Sequence, residues 1–265
     1  METKKTFAVV ETDDRQRAAR AALARMGFAA GGAELTARAD YILLPLPLDD
    51  DRAGLAQLLR AARPGALALG GRVSAAARAA AAGAGVELVD YFDRPELAEL
   101  NAIPTAEGCI SLLLQKRRRT LWGSPVLVTG FGRVGRALAV RLTALGAAVT
   151  VAARRAEQRA QALAAGCAAV ADTRSLQRLA GRFDTVVNTA PAPLLTGQVL
   201  AALPAGSLVI DLASRPGGTD FAAARALGVT AIHALSLPAA CAPESAGEFV
   251  ARTVVEILTE RGELE

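Results

Sequence analysis

The chain has 265 residues, of which 52% are hydrophobic and 21% are charged, and its formal net charge is +4. This length and composition suit one large or two modest folded domains and exclude extensive disorder. Three widely spaced cysteines and a single histidine argue against a disulfide framework and a zinc site. The chain lacks an apolar run of the ~20 residues that a membrane span needs, and its start does not resemble a secretory signal. We therefore expect a soluble, cytoplasmic protein with no bound metal and no membrane partner.

Short apolar segments alternate with amphipathic, alanine-rich segments in the first part of the chain. Such alternation is typical of β-α-β units around a parallel sheet. The predicted strands are residues 7–10, 41–44, 66–69 and 86–89, and the predicted helices are residues 15–26, 53–62 and 74–82. A change to aromatic and charged residues over 90–95 marks the boundary region. We predict an N-terminal, flavodoxin-like α/β domain over residues 1–100.

A helix is predicted to link this domain to the rest of the chain. Pro104 suits the first turn of a helix, where its missing N–H is not needed, and Asn101 or Thr105 could cap the neighbouring amide groups. The apolar run through Leu114 continues that helix.

The second part of the chain shows the same alternation. The predicted strands are residues 126–129, 148–152, 185–188, 207–211 and 230–233, and a helix is predicted at 133–145. A final helix carries an apolar stripe between Phe249 and Leu258, which we expect to pack across the domain junction or against the sheet. We predict that residues 101–265 comprise the linking helix, a C-terminal Rossmann domain with a parallel sheet, and this last helix.

The sequence GFGRVG at residues 130–135 is the strongest functional motif. It follows an apolar strand and opens a helix, which is the context that a dinucleotide-binding GxGxxG motif requires. Its first glycine permits the tight turn, the second lets a diphosphate approach the backbone, and the third lets the helix pack closely on the strand. The expected cofactor contacts here are Gly130, Gly132, Arg133, Val134 and Gly135.

The end of the next strand indicates which dinucleotide binds. An NAD site usually carries Asp or Glu about 20 residues beyond the first glycine, to bind the ribose 2′-hydroxyl. This strand ends instead in Arg154 and Arg155, whose guanidinium groups suit a 2′-phosphate. We therefore predict NADP(H) in preference to NAD(H).

Polar residues also follow later strands of this domain, on the sheet edge where ligands bind. Asn188, Thr189 and Asp211 are expected to contact the cofactor, and Gly217 and Gly218 could form a backbone anion nest. Turn formation alone also explains such residues. His233 ends a predicted strand in apolar surroundings, where a structural role is more common than general base catalysis.

Residues 116–119 are four consecutive cations at the end of the linking helix. Cations at a helix C-terminus interact favourably with the helix dipole, so we interpret the cluster as a solvated helix end. A phosphate- or nucleic-acid-binding patch is the alternative, but Trp122 is the one aromatic residue nearby. We expect no nucleic-acid partner.

Five segments resemble the family formed by the A subunit of dipicolinate synthase. They are LNAIPTAEG at 100–108, GFGRVG at 130–135, VTVAAR at 149–154, VIDLASRPGGTDF at 209–221 and SLPAACAPESAG at 236–247. The resemblance covers most of the chain from about Tyr91 onward, and residues 1–90 agree mainly in architecture. The sequence departs from the family pattern at Ser236, where glycine is expected, and in the arginines at 117–119.

This resemblance implies the dehydrogenation of 4-hydroxy-tetrahydrodipicolinate to dipicolinate (pyridine-2,6-dicarboxylate) in a sporulating bacterium, which the arginines at 154 and 155 would make NADP-dependent. It also implies a flavoprotein-like partner, the B subunit of dipicolinate synthase, and is compatible with a homo-oligomer. A dianionic substrate needs two anion sites, which we expect near residues 101–107 and in the turn 214–219. The expected catalytic residues are Asn101, Glu107 and Ser214. The expected substrate-binding residues are Thr105, Arg215, Gly217, Gly218 and Thr219.

Two other functions remain open. A D-2-hydroxy-acid dehydrogenase has the same two-domain architecture but relies on an Arg, Glu and His set, and no Glu lies between Arg215 and His233. A non-catalytic NADPH-binding protein would keep the nucleotide motif without turning over a substrate.

Overall fold

The structure, a computed structural model, describes residues 4–49 and 54–264. The chain forms two compact units, of which unit 1 contains Met1–Asn101 with Ala242–Glu265 and unit 2 contains Ala102–Cys241. Each unit is built around a parallel β-sheet. The predicted α/β fold with two parallel sheets is therefore confirmed.

Helices and strands follow one another along the described residues, for the most part in alternation. The first nine elements are β1 (Thr6–Val9), α1 (Asp14–Arg25), β2 (Ala29–Gly31), β3 (Tyr41–Leu43), α2 (Leu55–Arg60), β4 (Leu67–Gly70), α3 (Ala75–Gly83), β5 (Glu87–Asp90) and α4 (Pro95–Lys116). The others are β6 (Pro125–Thr129), α5 (Arg133–Ala144), β7 (Ala148–Ala152), α6 (Ala156–Ala164), β8 (Ala169–Ala171), α7 (Leu176–Leu179), β9 (Thr185–Asn188), α8 (Gly197–Ala201), β10 (Leu208–Asp211), α9 (Phe221–Ala226), β11 (Thr230–His233), α10 (Leu237–Cys241) and α11 (Pro243–Glu260).

Unit 1 has the strand order β2-β1-β3-β4-β5, with parallel neighbours throughout. This is the flavodoxin-like order that the sequence predicts. The sequence pattern does not reveal β2, because Ala29–Gly31 holds only alanine and glycine, which are poor strand signals. The predicted start of α2 lies outside the described residues, and the described helix begins at Leu55.

The C-terminal helix belongs to unit 1, which corrects the predicted domain boundary. Helix α11 packs along α1, and Val250, Val254 and Leu258 lie in the core of unit 1. Gly247 makes this approach close, since a Cβ atom there would lie 2.5 Å from the Arg15 carbonyl oxygen. A contact between the first and last helices of the chain leaves no signature in the local sequence pattern.

Helix α4 begins earlier than the sequence predicts. It starts at Pro95, so Pro104 lies inside the helix rather than in its first turn, and Asn101 and Thr105 are not caps. The earlier proline occupies the position that suits a missing N–H.

By length and mean hydropathy α4 could also span a membrane, but 50% of its most apolar stretch is buried. Ala106, Cys109 and Leu113 are fully buried in the core of unit 2, as in a core helix of a globular domain.

Unit 2 has the strand order β11-β10-β9-β6-β7-β8. All pairs are parallel, and the order reverses between β6 and β9, which is the topological switch point where such sheets bind ligands. The register places Thr129, Asn188, Asp211 and His233 side by side, each as the last residue of its strand. Four polar side chains therefore meet at the carboxyl edge of the sheet.

Candidate dinucleotide-binding site

The glycine-rich turn between β6 and α5 has the geometry of a diphosphate cradle. Gly130 has a φ of +93°, and a Cβ atom there would lie 2.7 Å from the Thr189 hydroxyl oxygen. A Cβ atom at Gly135 would lie 2.5 Å from the Gly130 carbonyl oxygen. At Gly132, by contrast, a Cβ atom would meet nothing within 4 Å. Gly132 is the N-cap of α5, and within residues 4–49 and 54–264 no side chain caps that helix. The turn thus offers backbone amides and open space at a helix N-terminus, which is where anions bind.

Arg154 and Arg155 follow β7 after one intervening residue, Ala153, and both are exposed. The loop is held by Arg159, whose Nη1 donates to the carbonyl oxygens of Ala153 at 2.7 Å and Arg154 at 2.8 Å. Arg159 also contacts Asp172 at 3.2 Å. Hydrogen bonds from Arg174 lower the pKa of Asp172 to about 2, so this carboxylate stays charged at neutral pH. Arg159 and Asp172 belong to no motif, so the sequence pattern does not reveal their role.

The polar side chains at the strand ends form one buried network. The Thr129 hydroxyl donates to Asn188 Oδ1 at 2.6 Å, and Asn188 Nδ2 donates to Asp211 Oδ1 at 2.8 Å. Asp211 also accepts from the backbone N–H groups of Ala213 at 2.9 Å and Gly218 at 2.8 Å. The network ties β6, β9 and β10 to the turn that follows β10.

This network changes the roles predicted for Asn188 and Asp211. Both residues are 0% exposed. Asn188 uses both oxygen lone pairs and both N–H groups, because it also accepts from the Ala190 N–H and donates to the Ala190 carbonyl. It therefore has no group left for a cofactor, and we reassign Asn188 and Asp211 as residues that position the 211–219 turn. Thr189, in contrast, lies beside the glycine motif, where it would block a Cβ atom at Gly130 or Gly135, and its hydroxyl donates to the Thr129 carbonyl oxygen at 2.9 Å.

The turn after β10 does not form the anion nest that the sequence suggests. The Gly217 N–H donates to the Ser214 carbonyl oxygen at 2.8 Å, and the Gly218 N–H is bound to Asp211. A Cβ atom at Gly218 would also collide with Ala192 and Asn188. Both glycines are therefore needed for the compact turn and leave no amide for a ligand carboxylate.

The other residues predicted in this turn differ in exposure. Ser214 and Arg215 are exposed, which suits contact with a ligand. Thr219 is buried, and its hydroxyl has no hydrogen-bond partner among the described residues.

His233 has a structural environment. Its Nε2 lies 2.8 Å from the Ala213 carbonyl oxygen, and its ring stacks on Phe221 with centroids 5.2 Å apart. Because a carbonyl oxygen only accepts, Nε2 carries the proton. This contact supports the structural interpretation of the histidine.

Of the residues predicted on the linking helix, Glu107 lies away from the glycine motif. Glu107 Oε1 lies 3.5 Å from Nε of Arg141, which is two turns beyond the start of α5. Thr105 is buried on α4, whereas Asn101 ends unit 1. The structure thus brings together the glycine motif, Thr189 and the 214–219 turn around one sheet edge of unit 2, without Glu107.

The amino-acid sequence matches known proteins over most of its length. Residues 107–218 match the family described as D-isomer specific 2-hydroxyacid dehydrogenase, NAD binding domain. A second match is to the A subunit of dipicolinate synthase from Bacillus subtilis, 39% identical over 66% of this chain and 58% of that protein. The aligned region therefore spans less than two thirds of that relative's length. The family match makes unit 2 a nicotinamide-nucleotide-binding domain of an oxidoreductase type.

Two solved structures are similar over nearly the whole chain. The dipicolinate synthase A subunit from Bacillus halodurans superposes with a TM-score of 0.87 at 29% identity, covering 97% of this chain and 99% of that one. Its counterpart from Bacillus subtilis superposes with a TM-score of 0.86 at 30% identity, covering 100% and 99%. Fold, sequence identity and coverage agree, and the chain belongs to the family of dipicolinate synthase A subunits.

Proposed function

We propose that this protein is an NADP(H)-dependent oxidoreductase that forms dipicolinate from 4-hydroxy-tetrahydrodipicolinate. The observation that carries the proposal is the α5 N-terminus, which no side chain among the described residues caps, with open space at Gly132, in a chain of this family. The reaction removes one water, one hydride and one proton from the substrate, and the product ring is aromatic.

The residues present fit a bound NADP(H). The α5 amides and Gly132 would hold the diphosphate, and Arg154 and Arg155 would hold the 2′-phosphate. When bound, the nicotinamide supplies the hydride acceptor. Asp211 and Asn188 keep the 211–219 turn at the carboxyl edge of the sheet, where ligands of such sheets bind.

Ser214 and Arg215 are the proposed contacts for one substrate carboxylate. Both are exposed on the positioned turn, and a guanidinium can bind a carboxylate through two hydrogen bonds. Asn101 and Thr105 remain the proposed residues for the second anion site. If Ser214→Ala and Asn101→Ala both leave kcat/KM unchanged, this assignment of the substrate site is wrong.

The proposed setting follows from the family. We infer a cytoplasmic role in the sporulation of a bacterium, and the proposed partner is the flavoprotein-like B subunit of the same synthase. The substrate would be a small dianion. Among the residues that the structure describes, no group of three or more His, Cys, Asp or Glu side chains could hold a metal.

Thermal unfolding in the presence of ligands tests the function directly. A ligand that binds the native state alone raises stability by RT ln(1 + [L]/Kd). We expect NADPH to raise Tm more than NADH, and dipicolinate, but not glutarate, to raise Tm further in the presence of NADPH. An equal effect of dipicolinate and glutarate would contradict a pyridine-dicarboxylate site.

A D-2-hydroxy-acid dehydrogenase is the second candidate, because residues 107–218 match that family's nucleotide domain. Arg215 is exposed and could bind a carboxylate, but the His233 Nε2 that a proton relay would use is held by the Ala213 carbonyl. Reduction of 2-keto acids by NADPH, without dipicolinate synthesis, would favour this candidate.

Nucleotide binding with no turnover in either assay, whether the partner is present or not, would instead indicate a non-catalytic protein.

A further inference from the structure

The four cations at residues 116–119 have two different roles. The Arg117 side chain is only 5% exposed, and it donates to Asp184 at 3.2 Å, to Ser124 at 2.8 Å and to the Thr185 hydroxyl. It fastens the end of α4 to the start of β9. Arg117 is therefore part of the fold, whereas Lys116, Arg118 and Arg119 are exposed.

An exposed tryptophan lies in the turn that follows these cations. Trp122 is 78% exposed, and its Cδ1 lies 2.5 Å from where a Cβ atom of Gly146 would be. Leu145, next to that glycine, is 48% exposed. A hydrogen bond of 2.8 Å from the Gly123 N–H to the Gly146 carbonyl oxygen holds the two turns together. We call the exposed set the basic–tryptophan surface, and it consists of Lys116, Arg118, Arg119, Trp122 and Leu145.

This surface lies away from the nucleotide site of unit 2. A cavity of about 290 Å³ beside it is lined by residues 116–119 and by the starts of β9 and β10, including Thr185 and Leu208. The glycine motif and Thr189 lie at the opposite, carboxyl edge of the same sheet. A macromolecule bound to the basic–tryptophan surface would leave the carboxyl edge of the sheet accessible.

A solvated helix end does not explain the surface. The helix dipole favours cations in the last turn, but it gives no reason for an exposed indole beside an exposed leucine. Exposed Trp together with Arg is typical of the energetically dominant residues of protein interfaces. Burial of an indole removes roughly 150–250 Å² of side-chain surface from water.

We propose that the basic–tryptophan surface docks an acidic face of the partner protein, the B subunit of the synthase. This inference rests on the proposed function, which supplies that partner. Charge complementarity favours a protein with exposed carboxylates next to an apolar patch. A second copy of this chain fits less well, because each copy carries a net charge of +4. A nucleic acid also fits less well, because the Asp184 carboxylate lines the same cavity as the cations and Trp122 is the single aromatic ring of this surface.

The test measures, by calorimetry, how tightly the purified partner protein binds the full chain at about 0.1 M salt, where surface charges still interact. We expect Arg119→Glu and Trp122→Ser each to raise Kd about tenfold or more. The matched controls are Arg225→Glu and Leu163→Ser, which change an exposed arginine on α9 and an exposed leucine on α6. We expect these controls to change Kd less than about twofold. Because Trp122 is the sole tryptophan, 5-fluorotryptophan labelling gives one ¹⁹F signal, which should shift on docking.

Four outcomes would overturn the inference. The first is equal Kd values for the test and control variants. The second is no binding of the partner protein by the wild type, and retained stabilisation by NADPH would then show that the cofactor part of the proposed function survives. The third is binding of a single-stranded oligonucleotide that Arg119→Glu abolishes while binding of the partner protein persists. The fourth is a homodimer, seen by light scattering, that Trp122→Ser dissociates with no change in binding of the partner protein.

Discussion

At the residue scale, the carboxyl edge of unit 2 is organised by side chains that bind one another. Thr129, Asn188 and Asp211 are all fully buried, and each is bonded to the next. Buried polar groups are costly when they lose a partner, so such a network holds one backbone arrangement in preference to others. The network therefore fixes the turn on which Ser214 and Arg215 are exposed.

The first prediction concerns Asn188. Replacing it with alanine leaves the Thr129 hydroxyl without its acceptor and removes one of the two hydrogen bonds to Asp211 Oδ1, and should lower the free energy of unfolding by about 2–3 kcal/mol. Denaturation in urea measures this. The matched control is Thr219→Val, which removes a buried hydroxyl that has no hydrogen-bond partner among residues 4–49 and 54–264 and should be neutral or stabilising. If both variants lowered the free energy of unfolding equally, the hydrogen bonds of Asn188 would contribute nothing to the stability of the protein.

The second prediction concerns Ser236, where the family pattern has glycine. The structure provides the reason, because Ser236 has a φ of +57°, in the left-handed region that favours glycine. Ser236→Gly should stabilise the protein by about 0.5–1 kcal/mol, which is the conformational strain removed less the extra entropy of glycine in the unfolded chain. Ser175→Gly, at a φ of −93°, is the control and should be mildly destabilising. The idea fails if the two variants change the urea midpoint in the same direction.

At the element scale, the loop between β7 and α6 depends on a neighbouring element for its shape. Arg159, on α6, binds two carbonyl groups of the loop and is held in turn by Asp172 after β8. The side chains of Arg154 and Arg155 therefore extend from an ordered backbone into solvent. Such an arrangement lowers the entropy lost when a phosphate binds.

The third prediction tests the nucleotide preference of this loop. Replacing both Arg154 and Arg155 with alanine should weaken NADPH binding roughly 10–100-fold, because hydrogen bonds to a charged phosphate are lost. NADH binding should change little, since NADH lacks that phosphate. Fluorescence titration of each nucleotide measures the two affinities, with Arg225→Ala as the control for removal of an exposed cation. An equal loss for NADPH and NADH would refute the assignment of the 2′-phosphate site.

At the scale of the whole molecule, unit 1 is made from both ends of the chain. Its core contains Phe7 and Leu23 from the beginning and Val254 and Leu258 from the end. Folding of this unit therefore requires a contact between segments that are more than 200 residues apart in the sequence. Gly247 permits that contact, since Ala18, Ala19 and the Arg15 carbonyl fill the space beside it.

The fourth prediction tests the packing of α11 against α1. Gly247→Val places a branched side chain against the α1 backbone and should cost about 1–3 kcal/mol of stability through overpacking. Ser245→Val, on the exposed side of α11, has the same β-branched side chain without the clash and serves as the control. Circular dichroism during urea unfolding measures both variants. A Gly247→Val protein as stable as the control would mean that α11 does not pack tightly on α1.

Much of the fold and of the nucleotide site is visible in the sequence alone. The alternation of apolar and amphipathic segments identifies both parallel sheets, because burial periodicity is a property of consecutive residues. Strands β7, β9 and β11 have the predicted bounds. The glycine motif can also be recognised locally, because three glycines at fixed spacing indicate one tight turn between a strand and a helix. The short strands β2 and β8 escape detection because they are held by neighbouring strands rather than by their own residues.

Only the tertiary structure decided what the polar residues do. Asn188, Asp211, Gly217 and Gly218 look like ligand contacts in the sequence, because they follow strands at the binding edge. Strand register places them against one another instead, so that their hydrogen-bonding groups are already used. Likewise, the run at 116–119 reads as four equivalent cations until Arg117 is seen to be buried. Local patterns determine which elements form, whereas register and packing depend on residues far apart in the chain and so decide which side chains remain available to a ligand or partner.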